Sequence, residues 1–409
     1  MANILFVHNN FPAQFGHLGE ALPERGHLCR AISSPTGRPL PDVPVSRWVL
    51  GRGTTQGIFS PATRAEADLL RGEAAARVAL RLKADGFSPD LVIGHPGWGE
   101  TLFLREVFPR ARQILYGEFY YHGSGGDVGF DPEFGEPDFD ERVRVYAKNA
   151  TGALAYAAAD RIVSPTAFQA GLLPNVFRAR QVVLHEGIDT EAISPGPAGR
   201  IRLSDGTMLD GTMPVVTFAN RRFEPMRGVH TFMRALPALQ ARVPEARIVM
   251  IGADEPGGYG ASAGEGTTWK ARLLSELEGR LDLSRIHFTG TLPHAHLHAV
   301  MRLSAAHVYL TYPFALSWSL LEAMSLGCLV VGSATAPVQE VIRHGENGLL
   351  VDMLDPAAIA ETLVDACTGP RERFAPLRIA ARGTALQRYD RERVCLPAWL
   401  DLVDEVLAG

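Results

Sequence analysis

The feature that most constrains this fold is a regular alternation of short apolar runs with longer amphipathic stretches. In the first half, the alternation predicts helices over His17–Arg25, Pro61–Ala84 and Phe139–Ala158, and strands at Ile4–Val7, Leu28–Ile32, Leu91–Ile93, Gln113–Tyr116, Arg161–Val163 and Val182–Leu184. Unbroken apolar strands separated by helices are typical of a parallel sheet that is covered on both faces. The first half is therefore predicted to be a doubly wound α/β domain.

The alternation starts again after the turn-forming segment Ser194-Pro195-Gly196-Pro197. It then predicts helices near Val229–Arg242, Lys270–Arg280, His294–Leu303, Ser319–Leu326 and Val338–His344, and strands at Val215–Phe218, Ile248–Ile251, Ile286–Phe288, Val308–Leu310, Leu329–Val331 and Leu349–Val351. A chain of 409 residues is also too long for one ordinary hydrophobic core. We therefore predict two Rossmann-like domains, residues 1–192 and 193–388, followed by a terminal helix within residues 389–409.

Composition narrows the functional class. A net charge of −5 offers no basic surface for nucleic acid, and no dense run of Lys or Arg marks a membrane patch, although peripheral membrane contact stays open. The apolar run Ile4–Val7 is too short for a signal sequence or a membrane span. The four cysteines form no CxxC pair. We expect a cytoplasmic protein with reduced thiols.

Three segments suggest ligand sites that their spacing does not support. Residues 123–141 carry seven carboxylates without the offsets of a calcium loop, and we predict a solvated loop there. Residues 252–268 are glycine-rich, but no Gly-Lys-Ser/Thr closes them, so a Walker-type phosphate loop is rejected. His294, His296 and His298 are rejected as a zinc site because alternate residues on a helix point about 200° apart.

Two segments at predicted strand ends carry binding chemistry. In the first, Arg222 and Arg227 flank a turn that contains a proline, and two guanidiniums there could hold a diphosphate whose charge grows during bond cleavage. In the second, a loop from Tyr312 leads into a helix that ends at Gly327. Backbone N–H groups at that helix start could hold an anion or sugar hydroxyls, and Glu322 could accept hydrogen bonds from a ribose.

Five ordered segments of the second half resemble motifs of the GT4 family of retaining glycosyltransferases: Leu184–Pro195, Phe218–Gly228, Arg285–Gly290, Phe314–Glu322 and Pro337–Val351. The resemblance implies the GT-B fold, in which two Rossmann-like domains face each other across a cleft. It implies an acceptor-binding N-terminal domain, a donor-binding C-terminal domain, and a last helix that crosses back to the first domain. It further implies sugar transfer from a UDP- or GDP-type donor to a hydroxyl of a glycan, lipid or small molecule, without a metal ion or other cofactor.

The same resemblance assigns roles to individual residues. Arg222 and Arg227 match the diphosphate-binding positions, although the family usually has Lys at the position of Arg227. The planar guanidinium of Arg contacts phosphate oxygens with a different geometry from the compact ammonium group of Lys. The donor would also contact the residues Gly16, Thr291, Leu292, Ser317, Trp318 and Glu322, of which Ser317 and Trp318 act through backbone amides and Glu322 through the ribose. The histidine that faces the sugar would be His95 or His122.

The main departure from the family is Phe314, which replaces the first Glu of the Glu-x7-Glu motif and cannot accept a hydrogen bond. We expect its ring to pack beneath the Ser317–Trp318 turn and hold the amides in place. Two alternatives stay open: a nucleotide-sugar-binding protein with weak or no transferase activity, and a GT-B sugar-nucleotide epimerase. A dinucleotide dehydrogenase is disfavoured because neither half carries GxGxxG.

Overall fold

A computed structural model describes residues 1–197, 199–203 and 205–409, and it divides into two compact units. The first unit consists of residues 1–129, 136–187 and 391–409, and the second consists of residues 130–135 and 188–390. The chain passes from the first unit to the second at Gly187–Ile188, a few residues before the domain boundary predicted at 192. The hexapeptide Phe130–Gly135 also belongs to the second unit, which no pattern in the sequence indicated.

The first unit is built on a seven-stranded, all-parallel sheet in the order β3-β2-β1-β4-β5-β6-β7. Its strands are β1 Asn3–Val7, β2 Leu28–Ser33, β3 Val45–Arg47, β4 Leu91–Gly94, β5 Arg112–Tyr116, β6 Arg161–Ser164 and β7 Gln181–Val183. Its helices up to residue 187 are α1 Gly16–Glu24, α2 Thr63–Ala84, α3 Leu104–Val107, α4 Phe139–Ala147, α5 Ala150–Ala158 and α6 Ala167–Leu172. The six predicted strands are present, whereas the short edge strand β3 and the break between α4 and α5 were not predicted.

The second unit contains a six-stranded, all-parallel sheet in the order β12-β11-β10-β13-β14-β15, and a two-stranded antiparallel pair, β8 with β9. Its strands are β8 Ile201–Arg202, β9 Met208–Leu209, β10 Val215–Arg222, β11 Arg247–Ala253, β12 Ile286–Gly290, β13 Ala306–Tyr309, β14 Val330–Ser333 and β15 Leu349–Val351. Its helices are α7 Val229–Arg242, α8 Trp269–Glu276, α9 His294–Leu303, α10 Trp318–Ser325, α11 Ala336–Gln339, α12 Pro356–Thr368 and α13 Arg371–Arg388. Two restarted α/β rhythms in the sequence therefore correspond to two parallel sheets.

The last helix, α14 Leu396–Ala408, belongs to the first unit. Trp399 and Val403 on its apolar face are fully buried in one cluster with Phe6 and Leu18. The indole N–H of Trp399 also donates to the carbonyl of His185 at 3.2 Å. Burial of such a face is the main stabilising contribution expected of an amphipathic helix. None of the described helices is both long and apolar enough to cross a lipid bilayer.

Both large sheets contain a topological switch point, where two neighbouring strands send their connections to opposite sides. The switch point lies between β1 and β4 in the first unit and between β10 and β13 in the second. Ligands of open parallel sheets bind in the crevice at the carboxyl ends of the strands at such a point. The loops that follow these four strands are therefore where a functional site is expected.

Candidate functional site

The loop after β10 is held close to the end of β13 by a glycine. Gly228, which precedes α7, has φ of +71°, and a Cβ atom there would lie 2.6 Å from Cβ of Leu310. Glycine is the residue that tolerates both the left-handed backbone and this close approach. The turn that carries Arg227 is thereby packed against the loop after β13.

Arg227 links the two loops directly. Its guanidinium donates to Oγ1 of the buried Thr311 at 2.8 Å and lies 5.8 Å from the ring centroid of Phe314. Thr311 and Phe314 both belong to the loop after β13. The cationic side chain from one strand end is therefore positioned by the strand end on the other side of the switch point.

Arg222 occupies the last position of β10 and is half-buried. It forms an ion pair at 2.8 Å with Glu255, whose side chain is largely exposed. Ion pairs of this exposed kind contribute about 0–1 kcal/mol, so a bound anion could replace Glu255 at little cost. The structure gives Arg222 and Arg227 no common hydrogen-bond partner among the described residues.

The glycine-rich segment 252–268 lies against this loop rather than forming a phosphate loop of its own. The backbone N–H of Tyr259 donates to Glu224 at 2.7 Å, and the ring of Tyr259 lies 5.5 Å from that of Phe314. Burial raises the pKa of Glu224, against the lowering effect of the Tyr259 amide and the neighbouring arginines. The segment therefore covers the side of the site where Arg227 and Phe314 meet.

The structure shows two contacts of the Phe314 ring and one partner of the Ser317 amide. The ring contacts Tyr259 and the guanidinium of Arg227, and the Ser317 amide donates to the hydroxyl of Tyr309 at 2.9 Å. Tyr309 on β13 therefore helps to hold the Ser317–Trp318 turn, and the support expected from Phe314 stays a prediction. Ser317 also caps α10 by accepting from the Ser319 amide at 3.3 Å.

The remaining predicted donor residues of this unit are distributed around the same sheet edge. Glu322 is 7% exposed within α10, and its Oε2 lies 3.6 Å from Nε2 of His298 on α9. Trp318 at the start of α10 is exposed. Thr291 is exposed just after β12, and Leu292 is partly buried against a core cluster. Thr291 and Leu292 follow β12, and their role in the site stays a prediction.

Asp131 is a buried acid that the sequence interpretation missed. It was predicted to lie in a solvated loop, and that prediction is wrong for this residue, which is 5% exposed within the second unit. One carboxylate oxygen accepts from the hydroxyl of Tyr312 at 2.7 Å and from Nε2 of His230 at 2.8 Å. Tyr312 begins the loop before α10 and His230 lies in the first turn of α7, so Asp131 supports both loops.

Hydrogen bonding keeps Asp131 ionised. Burial favours its neutral form, but the bonds from His230 and Tyr312 and from the Glu133 amide outweigh burial and lower its pKa. Burial and the same bond to Asp131 raise the pKa of Tyr312 well above its usual range. The Asp-Pro pair at 131–132 signals a turn, but no local pattern reveals a partner about a hundred residues away.

In the first unit, the loops after β1 and β4 meet through imidazole rings. The rings of His8 and His95 lie 5.2 Å apart, and both residues are almost fully buried. Nδ1 of His95 accepts from the Gly97 amide at 3.0 Å, which leaves its proton on Nε2, 3.3 Å from a carboxylate oxygen of Glu118. Gln14 donates to the other oxygen of Glu118 at 3.4 Å.

Glu118 follows β5 and was not identified from the sequence, because its histidine partner lies on another loop. Partial burial raises its pKa, but the hydrogen bond and attraction from His95 outweigh burial and lower it. The pKa of His8 falls to about 3, mainly through burial and then through His95. His8 is therefore neutral at physiological pH, and the cluster presents two imidazole rings beside one carboxylate.

The other predicted residues of the first unit differ in their surroundings. Gly16 is the first residue of α1, is partly exposed, and has room for a Cβ atom, with Pro12 as its nearest neighbour at 3.9 Å. The protein itself does not require glycine there. His122 is exposed and its ring contacts the carbonyl of Leu172 at 2.8 Å. His95, unlike His122, therefore lies at the switch point.

Comparison with known proteins agrees with this architecture. Sucrose-phosphate synthase from Thermosynechococcus elongatus superposes with a TM-score of 0.71 at 17% identity, and the superposition covers 100% of each chain. Anabaena HepE, solved in complex with UDP and glucose, superposes with a TM-score of 0.66 at 16% identity, covering 99% of this chain and 100% of HepE. The fold is that of the GT-B glycosyltransferases.

Two family descriptions match consecutive parts of the chain: the glycosyl transferase family 4 group at residues 25–193 and the glycosyl transferases group 1 at residues 213–368. D-inositol 3-phosphate glycosyltransferase from Mycolicibacterium vanbaalenii is 27% identical over 256 residues, which is 62% of this chain and 53% of that protein. The chain spans about half the length of the curated relatives it matches. It belongs to the GT4-type glycosyltransferases.

Proposed function

We propose that this protein is a retaining glycosyltransferase that moves a sugar from a nucleoside diphosphate sugar to a hydroxyl acceptor. The observation that carries the proposal is the link from Arg227 to Thr311 across the switch point of the second sheet. A partly buried, hydrogen-bonded guanidinium beside a helix start is a suitable site for an anionic group at the end of parallel strands.

In this proposal the donor lies on the second unit. Arg222 and Arg227 bind the diphosphate, and Glu322 accepts hydrogen bonds from the ribose. The start of α10 at Ser317 and Trp318 meets the sugar and the β-phosphate. Thr291 and Leu292 contact the nucleobase of the donor. The Ser317 amide is engaged by Tyr309 in this structure.

The chemistry is a substitution at the anomeric carbon. The bond from that carbon to the β-phosphate oxygen breaks, and a bond to the acceptor oxygen forms on the same face of the sugar. The acceptor proton passes to the leaving phosphate oxygen. Charge increases on the diphosphate as the bond breaks, so Arg222 and Arg227 stabilise the transition state more than the ground state. The family resemblance supports this front-face route, which requires neither a separate base nor a metal ion or other cofactor.

The first unit supplies the acceptor side. His95 with its partner Glu118 offers an N–H donor and a carboxylate, a combination suited to sugar or acceptor hydroxyls. Gly16 lets a phosphate or sugar approach the start of α1. HepE was solved with UDP, so UDP-sugars are the first donors to test, with GDP-sugars next. The names of the curated relatives make an inositol phosphate the first acceptor to test.

A nucleotide-sugar-binding protein without turnover is the second candidate, and Phe314 is the observation that favours it. The structure supports the enzyme instead, because Phe314 is buried against Arg227 and Tyr259 as an integral part of the loop. Phe314→Glu should therefore lower stability without raising turnover, since it would remove the ring contacts with Tyr259 and Arg227 and place a carboxylate at a buried position. A gain in transfer activity in that variant would favour the binding protein.

The test has two stages. Calorimetric titration with UDP, GDP and their common sugars identifies the donor, and release of free nucleotide with and without an acceptor measures turnover. Proton NMR of the product then gives the configuration at the anomeric carbon. Retained configuration and acceptor-dependent release support the proposal, whereas tight binding without release supports the binding protein. Inverted configuration would overturn the retaining assignment.

A further inference from the structure

Two histidines on α9 and the acid of α10 form a cluster that the donor site does not fully explain. Nitrogen atoms of His294 and His298 and an oxygen of Glu322 all lie within 4.8 Å of one another. The two imidazole rings have centroids 5.7 Å apart and planes at 77°. His298 and Glu322 are buried, and His294 is exposed.

The sequence argument against a metal at these histidines considered alternate residues. That argument holds for His296, which points away from its neighbours along the helix. His294 and His298, however, are four residues apart and share one face of α9. The third ligand comes from α10, so the complete set appears only when the two helices are placed together.

The inner part of the cluster has an unsatisfied polar atom. Nε2 of His298 is buried and has no hydrogen-bond partner among the residues that the structure describes. Glu322 lies 3.6 Å away, which is too long for a direct hydrogen bond. Buried nitrogen atoms of this kind usually have a partner, in the protein or in a bound water or ion. A zinc ion lies about 2.0–2.1 Å from each ligand, so neighbouring ligand atoms of a tetrahedral site are about 3.3 Å apart. The 3.6 Å between Nε2 of His298 and Oε2 of Glu322 is close to that value.

We propose that His294, His298 and Glu322 bind a divalent transition-metal ion and leave its fourth position to water. Two imidazoles and one carboxylate are a ligand set that suits zinc and its neighbours in the first transition row. The ion acts as an inhibitor and not as a cofactor. This part rests on the proposed function, since Glu322 cannot coordinate a metal and accept ribose hydroxyls with the same oxygens.

The binding test uses Zn²⁺ with the full chain after removal of metals by EDTA and dialysis. Calorimetry should show one site in the wild type, and Co²⁺ in its place should give the visible absorption of a tetrahedral complex. His294→Ala should weaken zinc binding at least about tenfold, because one of three protein ligands is lost. His296→Ala, an exposed histidine on the same helix, is the matched control and should bind zinc like the wild type. Both are surface changes, and thermal melting confirms that the variants fold.

Three results would overturn the metal site: no bound zinc, binding that His294→Ala leaves unchanged, or an equal loss in His296→Ala. The competition is tested separately by titrating UDP in the presence and absence of saturating Zn²⁺. Weaker UDP binding in the presence of zinc, relieved in His294→Ala, supports the proposal. Zinc binding that depends on His294 but leaves UDP affinity unchanged would overturn the inhibition and remove Glu322 from the ribose site. If the protein does not bind UDP at all, the proposed function fails, but the zinc titrations still test the metal site.

Discussion

At the switch point of the second sheet, a guanidinium connects the loops after β10 and β13, with Arg227 bonded to Thr311. At the switch point of the first sheet, the loops after β1 and β4 meet through the rings of His8 and His95, of which His8 is neutral because burial lowers its pKa to about 3. The backbone topology around the two switch points is alike. The difference lies in the side chains, which suit an anion in the second unit and hydroxyl groups in the first. The fold thus provides two equivalent places, and the residues at the strand ends decide what each can bind.

The largest effect, on kcat, is expected for Arg227 at the switch point of the second sheet. Arg227→Ala should lower kcat by about 10²–10³-fold, because it removes a preorganised group that stabilises the leaving diphosphate. Arg227→Lys should retain more activity, since the charge remains although the bond to Thr311 changes geometry. Steady-state kinetics with saturating donor measures both. Arg343→Ala, at an exposed arginine of the same unit, is the control and should behave like the wild type.

If Arg227→Ala and Arg343→Ala have equal kcat, the guanidinium that joins the loops has no role in transfer. The contrast between a switch point with a guanidinium and one with imidazole rings would then carry no functional meaning.

The second prediction concerns the ionisation of a buried carboxyl group in the first unit. Glu100, just beyond the His95 loop, is fully buried, and burial raises the pKa of its carboxyl from 4.5 to about 7. The folded state therefore holds this proton more tightly than the unfolded state. Stability should fall as pH rises from about 4.5 to above 7, by about 3 kcal/mol in total. Glu100→Gln should abolish most of that loss, as measured by urea unfolding at pH 5 and pH 8.5.

The control for Glu100 is Glu106→Gln on the exposed side of α3, which should keep the pH dependence of the wild type. A Glu100→Gln variant whose stability falls with pH as steeply as that of the wild type would show that Glu100 ionises normally.

The third effect tests the ribose position. Glu322→Ala should weaken binding of the donor nucleotide about ten- to a hundredfold, because hydrogen bonds to a charged acceptor contribute about 1.5–3 kcal/mol. Calorimetric titration with the nucleotide measures the change. Glu361→Ala, at an exposed glutamate on α12 of the same unit, is outside the predicted site and serves as the control. Unchanged affinity in a folded Glu322→Ala protein would remove this residue from the donor site.

The sequence was sufficient for the parts of the fold that depend on local pattern. Apolar runs such as those of β1 and β10 predicted the strands, whereas β3 escaped because Val45-Ser46-Arg47 mixes polar and apolar residues at a sheet edge. Arg227 and Glu322 could be found because they follow strand ends in recognisable segments. Asp131 and Glu118 could not be found, because each acts through a partner that only the folded chain brings near.

The smallest effect is expected at Gly16, the first residue of α1, where the first unit has room for a side-chain methyl group. A Cβ atom at Gly16 would meet its nearest neighbour at 3.9 Å, whereas a Cβ atom at Gly19 in the same helix would lie 2.5 Å from Leu40. Gly16→Ala should therefore stabilise the protein by about 0.5–1 kcal/mol through helix propensity. Gly19→Ala should stabilise it less, because Cδ1 of Leu40 must move to make room for the methyl group. Thermal unfolding measures both changes.

The functional meaning of Gly16 follows from combining this stability gain with kinetics. If a donor or acceptor group approaches the start of α1, the added methyl group should lower turnover although the fold becomes more stable. A loss of activity in a stabilised protein has no structural explanation within the first unit, because the Cβ atom there has room. Full activity in Gly16→Ala would instead show that no ligand approaches this position, and the site in the first unit would then be confined to the His95 loop and Glu118.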